Sequence, residues 1–380
     1  MVCRVEADTT GAVDATEAFE EALGCSVENG FAQVLVPRGT YAISKTLTIP
    51  EFVSVVGEPQ GALALDDGDT FDDFGTLPVL RFPGGFASDA LVMLQRSSVS
   101  GLHIDFETEQ ASDKAAIRVA SLGLNIKKVR ITRAGIGVYS PPDVNSGRIY
   151  VRQVEIAESR IGLWIDYGLD VSRFQDIRVT RASVAPNTWG VIFGKNDYML
   201  ASQIAVSNVA TGLEFRDTAS PTPNVKGSIA TLTGYQSKGC TLGFLVKGAA
   251  QVSSAGLVID ATNTALRAGG SAMLAVSGAT LSSKGASAVL LGDDASLTIT
   301  GSSIDRSDPS SGEHGIAVSG GRFLNVTGTT FKSNGYGVYF SKSPVRGTVA
   351  GNTFELTNPS GRAVAGSYAT VTVGGNGANR

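Results

Sequence analysis

The sequence predicts a single-stranded right-handed parallel β-helix, an all-β fold in which the chain winds through stacked coils. Three observations predict it. A short motif of Gly or Ala, an apolar residue, any residue and a second apolar residue recurs along most of the chain. A second short strand of alternating apolar and polar residues lies between successive motifs. Glycine accounts for 46 of the 380 residues, and such an excess suggests many tight turns.

The repeated motif sets the size of one coil. The first residues of successive motifs are 27, 28, 22, 31, 22, 23, 27 and 22 residues apart. A minimum near 22 with a variable excess indicates a fixed coil that carries loops of variable length, which is typical of a solenoid. The motifs are Gly135-Ile136-Gly137-Val138, Gly162-Leu163-Trp164-Ile165, Gly190-Val191-Ile192-Phe193, Gly212-Leu213-Glu214-Phe215, Gly243-Phe244-Leu245-Val246, Ala265-Leu266-Arg267-Ala268, Ala288-Val289-Leu290-Leu291, Gly315-Ile316-Ala317-Val318 and Gly337-Val338-Tyr339-Phe340.

The strands between the motifs are too short to be helices, and their Val, Ile and Thr content favours strands. Examples are Val129-Arg130-Ile131, Val154-Glu155-Ile156 and Ile177-Arg178-Val179. Stacked coils pair each strand in parallel with its successor, about 4.8 Å away. Arg130, Glu155 and Arg178 therefore form a predicted cross-strand ladder of alternating charge, to which we attach no function.

The chain is divided into three segments of one continuous domain. Residues 1–60 are expected to form an N-terminal cap and the first coils, residues 61–113 early coils with an acidic loop insertion, and residues 114–380 the body of about ten or more coils. Asp14 and Glu17 have the spacing of a helix capping box, with Asp14 as the N-cap. A short helix with an apolar stripe would follow and cover the open end of the solenoid, its stripe formed by Ala18, Phe19, Ala22 and Leu23.

The N-terminal segment resembles the start of pectate-lyase-like β-helix proteins, a superfamily that includes phage tailspikes and polysaccharide depolymerases. The usual Gly-Ala-x-Gly-Asp-Gly stretch is reduced here to Ala7-Asp8-Thr9-Thr10-Gly11. The resemblance covers residues 5–60, and the coils extend it along the chain. Its motifs are Asp14-x-Thr16-x-Ala18-Phe19, Val36-Pro37-x-Gly39-x-Tyr41, Ile49-Pro50 and Val55-Val56-Gly57-Glu58.

The resemblance implies a protein that binds and cleaves a polysaccharide, as a glycoside hydrolase or a polysaccharide lyase. The same fold hosts inert stalks, so a non-catalytic glycan-binding or structural tailspike-like protein is the alternative. Related spikes are usually trimers, so a homotrimer is one possible assembly, and the lack of a recognisable trimerisation domain in the sequence favours a monomer instead. Such proteins act outside the cell or on a virion, and we expect one of these locations.

Charge is distributed unevenly along the chain. Residues 1–113 carry 19 acidic and 5 basic side chains, whereas residues 114–380 carry 16 and 26. A basic body suits a polyanionic partner such as an acidic polysaccharide. Solvent-exposed charged residues in cross-strand ladders would explain the same excess of basic side chains. The basic residues alternate with acids and form no RNA- or DNA-binding motif, so nucleic acid is not an expected partner.

Composition excludes several other classes of protein. Apolar residues make up 42% of the chain, enough for a large core. No window of eighteen apolar residues occurs, so no membrane span is expected. The first residues lack the basic and apolar regions of a signal peptide. Cys3 and Cys25 could pair, but three free thiols, with Cys240, is the simpler expectation. Only two histidines occur, which argues against a histidine-based zinc site.

In the resembled superfamily, the Gly-apolar-x-apolar strand lines the substrate groove, so the outward positions of this motif are the candidate site. Polar and aromatic side chains concentrate at these positions between Tyr139 and Arg267, and the later coils are expected to present a bland surface with few such side chains. The third position gives Gly137, Trp164, Ile192, Glu214, Leu245, Arg267, Leu290, Ala317 and Tyr339. The fifth and sixth positions add Tyr139, Asp166, Tyr167, Lys195, Arg216, Asp217, Lys247 and, on a later coil, Asp293.

Two chemistries fit these residues. Hydrolysis would use Asp166 and Glu214, two coils apart and so roughly 9–10 Å from each other, with Asp217 as another partner. Trp164 and Tyr139 would be sugar platforms. Surface carboxylates in a salt ladder, and a loop-covered Trp164, are the alternatives.

Elimination on a uronate would use the cations instead. Lys247 or Arg216 would be the base, and Arg267 and Lys195 would help to bind sugar carboxylates. Solvated surface cations are the alternative interpretation. No resident cofactor is expected for either chemistry.

Three further groups have weaker support. His314-Gly315 looks like the His-Gly strand of polygalacturonases, but no aspartate pair stands one coil earlier, so His314 is expected to be a turn residue. His103 and Asp105 could be an acid/base couple, although a plain surface pair is the simpler expectation. The acidic run from Asp66 to Asp73 could bind Ca²⁺ but lacks EF-hand spacing, so a solvated loop is expected.

Overall fold

The computed structural model describes residues 2–58, 77–217, 227–306, 314–342, 346–358, 360–367 and 371–379. Within these ranges the chain forms one α-helix and 36 β-strands, wound as a parallel β-solenoid of about 13 turns. This confirms the all-β solenoid predicted from the sequence. Internal contacts divide the solenoid into unit 1 (Met1–Ala182 with Asn196–Tyr198) and unit 2 (Ser183–Lys195 with Met199–Arg380).

Unit 1 contains the helix and the first fifteen strands. The helix α1 spans Thr16–Glu28. The strands are β1 (Val2–Arg4), β2 (Thr10–Asp14), β3 (Gln33–Val36), β4 (Thr40–Ala42), β5 (Leu47–Ile49), β6 (Ser54–Gly57), β7 (Val79–Phe82), β8 (Leu91–Met93), β9 (Ser98–Phe106), β10 (Ala115–Val119), β11 (Asn125–Thr132), β12 (Ile136–Ser140), β13 (Tyr150–Ala157), β14 (Ile161–Ile165) and β15 (Gly168–Thr180).

Unit 2 contains most of the later strands, and β17 begins in unit 1 and continues in unit 2. They are β16 (Trp189–Phe193), β17 (Asn196–Ser207), β18 (Thr211–Phe215), β19 (Ile229–Thr233), β20 (Gln236–Val246), β21 (Gln251–Ala255), β22 (Val258–Ala268), β23 (Met273–Ser277), β24 (Thr280–Ser283), β25 (Val289–Leu291), β26 (Ser296–Thr300), β27 (Ser303–Arg306), β28 (Ile316–Val318), β29 (Phe323–Thr327), β30 (Thr330–Ser333), β31 (Val338–Phe340), β32 (Arg346–Ala350), β33 (Thr353–Leu356), β34 (Val364–Gly366), β35 (Val371–Gly374) and β36 (Gly377–Asn379).

In each unit, every strand pairs in parallel with the equivalent strand of the next coil, which produces three rows of strands. The row that carries the repeated motif runs through β5, β8, β10, β12 and β14 in unit 1. In unit 2 it runs through β16, β18, β20, β22, β25, β28, β31 and β34. We call it the motif row.

The two apolar positions of the motif form the core. Phe193 and Phe215 occupy the same inward position on successive coils of unit 2, Phe244 occupies the other inward position of the motif on the next coil, and all three are fully buried. Their rings lie 5.2 and 6.0 Å apart from one coil to the next. Burial of one such side chain contributes about 1.5–3 kcal/mol, so the stacked coils stabilise one another.

Glycines in the left-handed region turn the chain at one corner of each coil in unit 2. Their φ angles lie between +55° and +65°, which a side chain with a Cβ adopts at a cost. They recur every 22 to 27 residues, which matches the coil length predicted from the motif. These corner glycines are Gly234, Gly256, Gly278, Gly301, Gly328, Gly351 and Gly375.

Helix α1 packs against β1, β3 and β5, as expected of an N-terminal cap. The predicted capping box is wrong, because the N-cap residue is Ala15 and makes no side-chain capping bond. Asp14 instead accepts hydrogen bonds from the backbone N–H and the hydroxyl of Thr16, at 3.0 and 2.6 Å. The apolar stripe does face inward, with Phe19 packed edge-on against Tyr41 at 5.4 Å.

A disulfide joins Cys3 of β1 to Cys25 of helix α1. The expectation of three free thiols is therefore wrong, and only Cys240 is free and buried. Sequence spacing could not decide between the two, because the Cα atoms come within 6.1 Å only when the helix folds back onto the first coil.

No helix in the described part of the chain is long and apolar enough to cross a membrane.

Candidate functional site

Four consecutive strands of the motif row in unit 2, β16, β18, β20 and β22, carry the candidate site. Their pairing places Ile192, Glu214, Leu245 and Arg267 in one outward column, as the motif predicted. The glycine that opens the motif is required by close packing. A Cβ on Gly190 would lie 2.4 Å from the carbonyl oxygen of the next coil.

Glu214 is the most buried charged residue of this column, with 2% of its surface exposed. The indole N–H of Trp189, on the preceding strand, donates a 2.9 Å hydrogen bond to Oε2. The Lys247 ammonium lies 2.8 Å from Oε1, and Nη1 of Arg216 lies 3.6 Å from the same oxygen. A buried carboxylate requires such compensation, since an uncompensated charge in the interior costs several kcal/mol.

Three cations follow the ends of neighbouring strands here. Arg216 comes directly after β18, Lys247 directly after β20, and Lys195 two residues after β16. The Lys247 side chain is 46% exposed, whereas that of Arg216 is largely covered. Arg267 stands exposed two strands beyond Glu214, so this edge carries more positive than negative charge.

Asp217 does not join the Glu214 group. Its Oδ2 accepts a 2.8 Å hydrogen bond from the backbone N–H of Ala249, so it holds the turn of the next coil. The Asp217 carboxylate remains exposed next to the basic residues that follow these strands.

Unit 1 carries the aromatic candidates. Arg118, Tyr139 and Trp164 face one another on β10, β12 and β14, and the rings of Tyr139 and Trp164 lie 5.0 Å apart. Tyr139 therefore occupies the third motif position, where the sequence placed Gly137. Both rings are half-buried. Burial, followed by the negative charge of Asp166, raises the pKa of Tyr139.

Asp166, read from the sequence as an outward residue, is fully buried. Its Oδ1 accepts a 3.0 Å hydrogen bond from the backbone N–H of Tyr167. Asp166 lies in unit 1 and Glu214 in unit 2, and neither carboxylate presents a solvated oxygen face of the kind that a glycosidase needs.

The sequence reading missed Trp189, which precedes the motif glycine and so lies outside the outward positions. The sequence does place Trp189 immediately before Gly190, one coil ahead of Glu214. A large side chain at this position can contact the next strand, and this could have identified it as a site residue.

His103 and Asp105 were expected to be a surface pair, and this is wrong for Asp105, which is 6% exposed. Its carboxylate forms ion pairs with Arg81, at 3.4 Å, and with Arg133. The Thr132 hydroxyl donates to Asp105 and lies 3.1 Å from Nε2 of His103. Because a hydroxyl has one proton, His103 is the donor in this contact.

The protonation of His103 is suppressed at this site. Burial lowers its pKa to about 4, and the attraction of Asp105 opposes this only in part because arginines share that charge. Arg130 faces His103 on the next strand and adds repulsion. As predicted, Arg130 also faces Glu155, with 3.9 Å between Nε and Oε2.

His314 lies before β28 in unit 2, against two tyrosines. Its ring is 4.5 Å from that of Tyr339 and 5.1 Å from that of Tyr336. Its Nδ1 accepts a 3.3 Å hydrogen bond from the backbone N–H of Tyr336. The expectation of a bland surface beyond Arg267 is wrong at this place.

The described ranges contain no group of three His, Cys, Asp or Glu side chains arranged to hold a metal ion. The acidic run from Asp66 to Asp73, the candidate Ca²⁺ loop, lies outside the described residues.

A family model described as "Rhamnogalacturonase A/epimerase, pectate lyase-like" matches residues 2–244, more than half of the chain. A second model, "Right handed beta helix region", matches residues 238–378. The chain belongs to the rhamnogalacturonase A/epimerase, pectate lyase-like family, and the right-handed β-helix predicted from the sequence is confirmed. No curated protein sequence matches the chain.

Several solved structures share this fold at low sequence identity. The A-module of the Azotobacter vinelandii mannuronan C-5 epimerase AlgE6 has a TM-score of 0.68 and 14% identity, covering 99% of this chain and 98% of that one. An N-terminal fragment of bacteriophage phi29 gene product 12 has a TM-score of 0.61 and 14% identity, and the match covers 97% of this chain and 69% of that fragment. The Streptococcus pneumoniae surface protein and adhesin PfbA has a TM-score of 0.54 and 12% identity, and the match covers 98% of this chain and 100% of that one.

Proposed function

We propose that this protein is a carbohydrate-active β-helix enzyme that binds an acidic polysaccharide along the motif row of unit 2 and cleaves it by elimination beside a uronate carboxylate. One observation carries the proposal: the buried carboxylate of Glu214 holds two cations, Lys247 and Arg216, at the edge of the strands, with Lys247 reaching solvent. Family membership supports the choice of a carbohydrate substrate.

The charge balance favours an anionic ligand. At the outward positions of β16, β18, β20 and β22 and just after these strands, Lys195, Arg216, Lys247 and Arg267 outnumber the carboxylates of Glu214 and Asp217. Arg267 lies two strand spacings from Glu214, about 10 Å, so the positive charge extends along the direction in which a polymer would lie. Low salt should strengthen such binding.

Elimination uses these cations directly. Arg216 and Arg267 would neutralise the sugar carboxylate, which stabilises the negative charge that forms when C5 loses its proton. Lys247, whose side chain reaches solvent, would first release one ammonium proton to water and then take the C5 proton. The C4–O4 bond then breaks, a C4=C5 double bond forms, and the departing O4 takes up a proton. Arg216 is the alternative base.

Hydrolysis by Asp166 and Glu214 has less support from the geometry. A glycosidase needs one carboxyl to reach the glycosidic oxygen and another to reach water or the sugar carbon. Asp166 is fully buried, and both oxygens of Glu214 contact groups of the protein, Trp189 and Lys247.

The test is incubation with a panel of capsular and uronate-containing polysaccharides, following reducing ends and the ultraviolet absorbance of unsaturated uronate together. We expect both signals to rise with the unaltered protein and to disappear in Lys247→Ala. Lys284→Ala, which removes an exposed lysine of the same unit, is the matched control. Reducing ends without absorbance would mean hydrolysis and reject the elimination mechanism.

Asp166→Asn and Glu214→Gln then separate the two carboxylates. If both variants keep full turnover, neither acid reacts with the substrate. If Asp166→Asn loses turnover but keeps binding, hydrolysis returns as the mechanism. A loss in Glu214→Gln alone fits both mechanisms, because this carboxylate also holds Lys247 and Arg216.

A second candidate, non-catalytic glycan binding, is favoured by one observation, the engagement of both Glu214 oxygens within the protein. It predicts binding to acidic glycans without either product signal. Tyr139 and Trp164 would supply sugar platforms in both cases, so loss of binding in Trp164→Ala fits both candidates.

We further propose an extracellular or virion-associated location, since a bacteriophage protein and a bacterial surface adhesin share the fold. A homotrimer is the assembly expected of such a spike. Light scattering of the purified protein measures its mass directly, and a monomer would reject the trimer.

A further inference from the structure

Three aromatic rings meet in unit 2 at the motif-row edge of the last coils. The rings of Tyr336 and Tyr339 are stacked, 5.5 Å apart and 17° from parallel. His314, one coil earlier, lies 4.5 Å from Tyr339. The hydrogen bond from the Tyr336 backbone N–H to Nδ1 fixes the orientation of the imidazole. We call these three residues the aromatic cluster.

The cluster is not part of the hydrophobic core. The nearby stacked pair Phe331 and Phe354 is fully buried and packs coil upon coil inside the solenoid. All three rings of the aromatic cluster are only half-buried. Each tyrosine hydroxyl is a hydrogen-bond donor at the end of a flat apolar ring, and this combination suits the face of a sugar with its surrounding hydroxyls.

The strand register places Tyr339 in the same outward column as Arg267. Arg267 pairs with Leu290, Leu290 with Ala317, and Ala317 with Tyr339. Three strand spacings, about 14 Å, therefore separate Arg267 from the cluster. The two residues between them in the column, Leu290 and Ala317, are apolar and uncharged. The nearest carboxylate beyond Arg267, that of Asp293, is turned to the backbone N–H of Gly270, from which it accepts a 2.9 Å hydrogen bond.

We propose that the aromatic cluster is a second carbohydrate-binding site, which stacks a sugar ring of the same polysaccharide chain whose carboxylates are bound at Lys247 and Arg216. This inference rests on the proposed function, because it takes the bound polymer to follow the motif row. The cluster recognises the apolar face of the ring, whereas the cations recognise its charge. Long chains engage both sites, and short chains engage only the cations.

The test compares binding of a uronate disaccharide and a uronate octasaccharide by calorimetric titration. In the unaltered protein we expect the octasaccharide to bind more tightly. Tyr339→Ala and Tyr336→Ala should each weaken octasaccharide binding about tenfold and leave disaccharide binding unchanged. Tyr339→Phe keeps the ring and should keep most of the advantage. Tyr198→Ala, which removes an exposed tyrosine of unit 1, is the matched control.

The outcomes are distinguishable. An octasaccharide advantage that survives in both alanine variants overturns the second site while leaving the proposed function intact. An equal loss in Tyr198→Ala overturns it as well, because the effect would not belong to the cluster. Failure of the unaltered protein to bind either oligosaccharide rejects the proposed function and, with it, this inference. If Tyr339→Ala does not fold, Tyr336→Ala decides.

Discussion

Trp189 and Glu214 are joined across neighbouring strands of unit 2 by a 2.9 Å hydrogen bond from the indole N–H to Oε2. This bond leaves Oε1 to the two cations, Lys247 and Arg216. The tryptophan therefore determines which way the buried carboxylate turns, and through it where the lysine ammonium is held.

Replacement of Trp189 by Phe removes the donor and keeps most of the ring. We expect a loss of about 1–3 kcal/mol in the free energy of unfolding, because a buried carboxylate oxygen is left without its hydrogen bond. Urea unfolding of Trp189→Phe, Glu214→Gln and the double variant measures the coupling between the two side chains. Strictly additive losses would contradict a direct interaction.

Stability should fall as pH drops through the window set by His103. The unfolded histidine takes up a proton near pH 6.5, whereas the folded one resists until about pH 4. Between these values the unfolded state binds more protons, so the folded state loses roughly 3 kcal/mol as the solution is acidified.

The control for this prediction is His103→Gln, which cannot titrate. Unfolding free energies of both proteins are measured from pH 7 to pH 4, and their difference isolates the histidine from the carboxylates. Curves that stay parallel over this range would show that His103 is not buried in its neutral form.

Reduction of the Cys3–Cys25 disulfide should destabilise the protein by about 3 kcal/mol. The disulfide closes a loop between residues 22 positions apart, and opening it increases the entropy of the unfolded chain. The measurement is the unfolding midpoint in urea with and without a thiol reductant. Cys240→Ser, which removes the buried free thiol, should respond to reductant just as the unaltered protein does.

The motif predicted the strand register well because each coil repeats the same inward apolar pair. Glu214, Leu245, Arg267 and Leu290 stand in one column, as read from the sequence. The predicted register was wrong at Gly135-Ile136-Gly137-Val138, which has a glycine at both its first and third positions. The structure pairs Val138 with Leu163, which moves Tyr139 next to Trp164.

The burial of the site residues could not be predicted in the same way. An outward position guarantees only that a side chain leaves the core, and a neighbour can still cover it. Glu214 is covered partly by Trp189 from the preceding coil, and Asp105 by arginines from the coils on either side. Such contacts depend on side-chain reach between strands, which a repeat pattern does not encode.

Because a corner glycine recurs once in every coil of unit 2, this part of the protein can be lengthened or shortened by whole coils, whereas the insertion or loss of single residues would disturb the turns. Excision of residues 257–278, which run from just after Gly256 through Gly278, would remove β22, which contributes to two rows, and β23, which belongs to the third. The flanking strands would remain able to pair in register. A surface assembled this way changes its reach along a polymer in steps of about 4.8 Å. Duplication or loss of a coil would therefore adjust how many sugar units are spanned without altering the residues that contact each one.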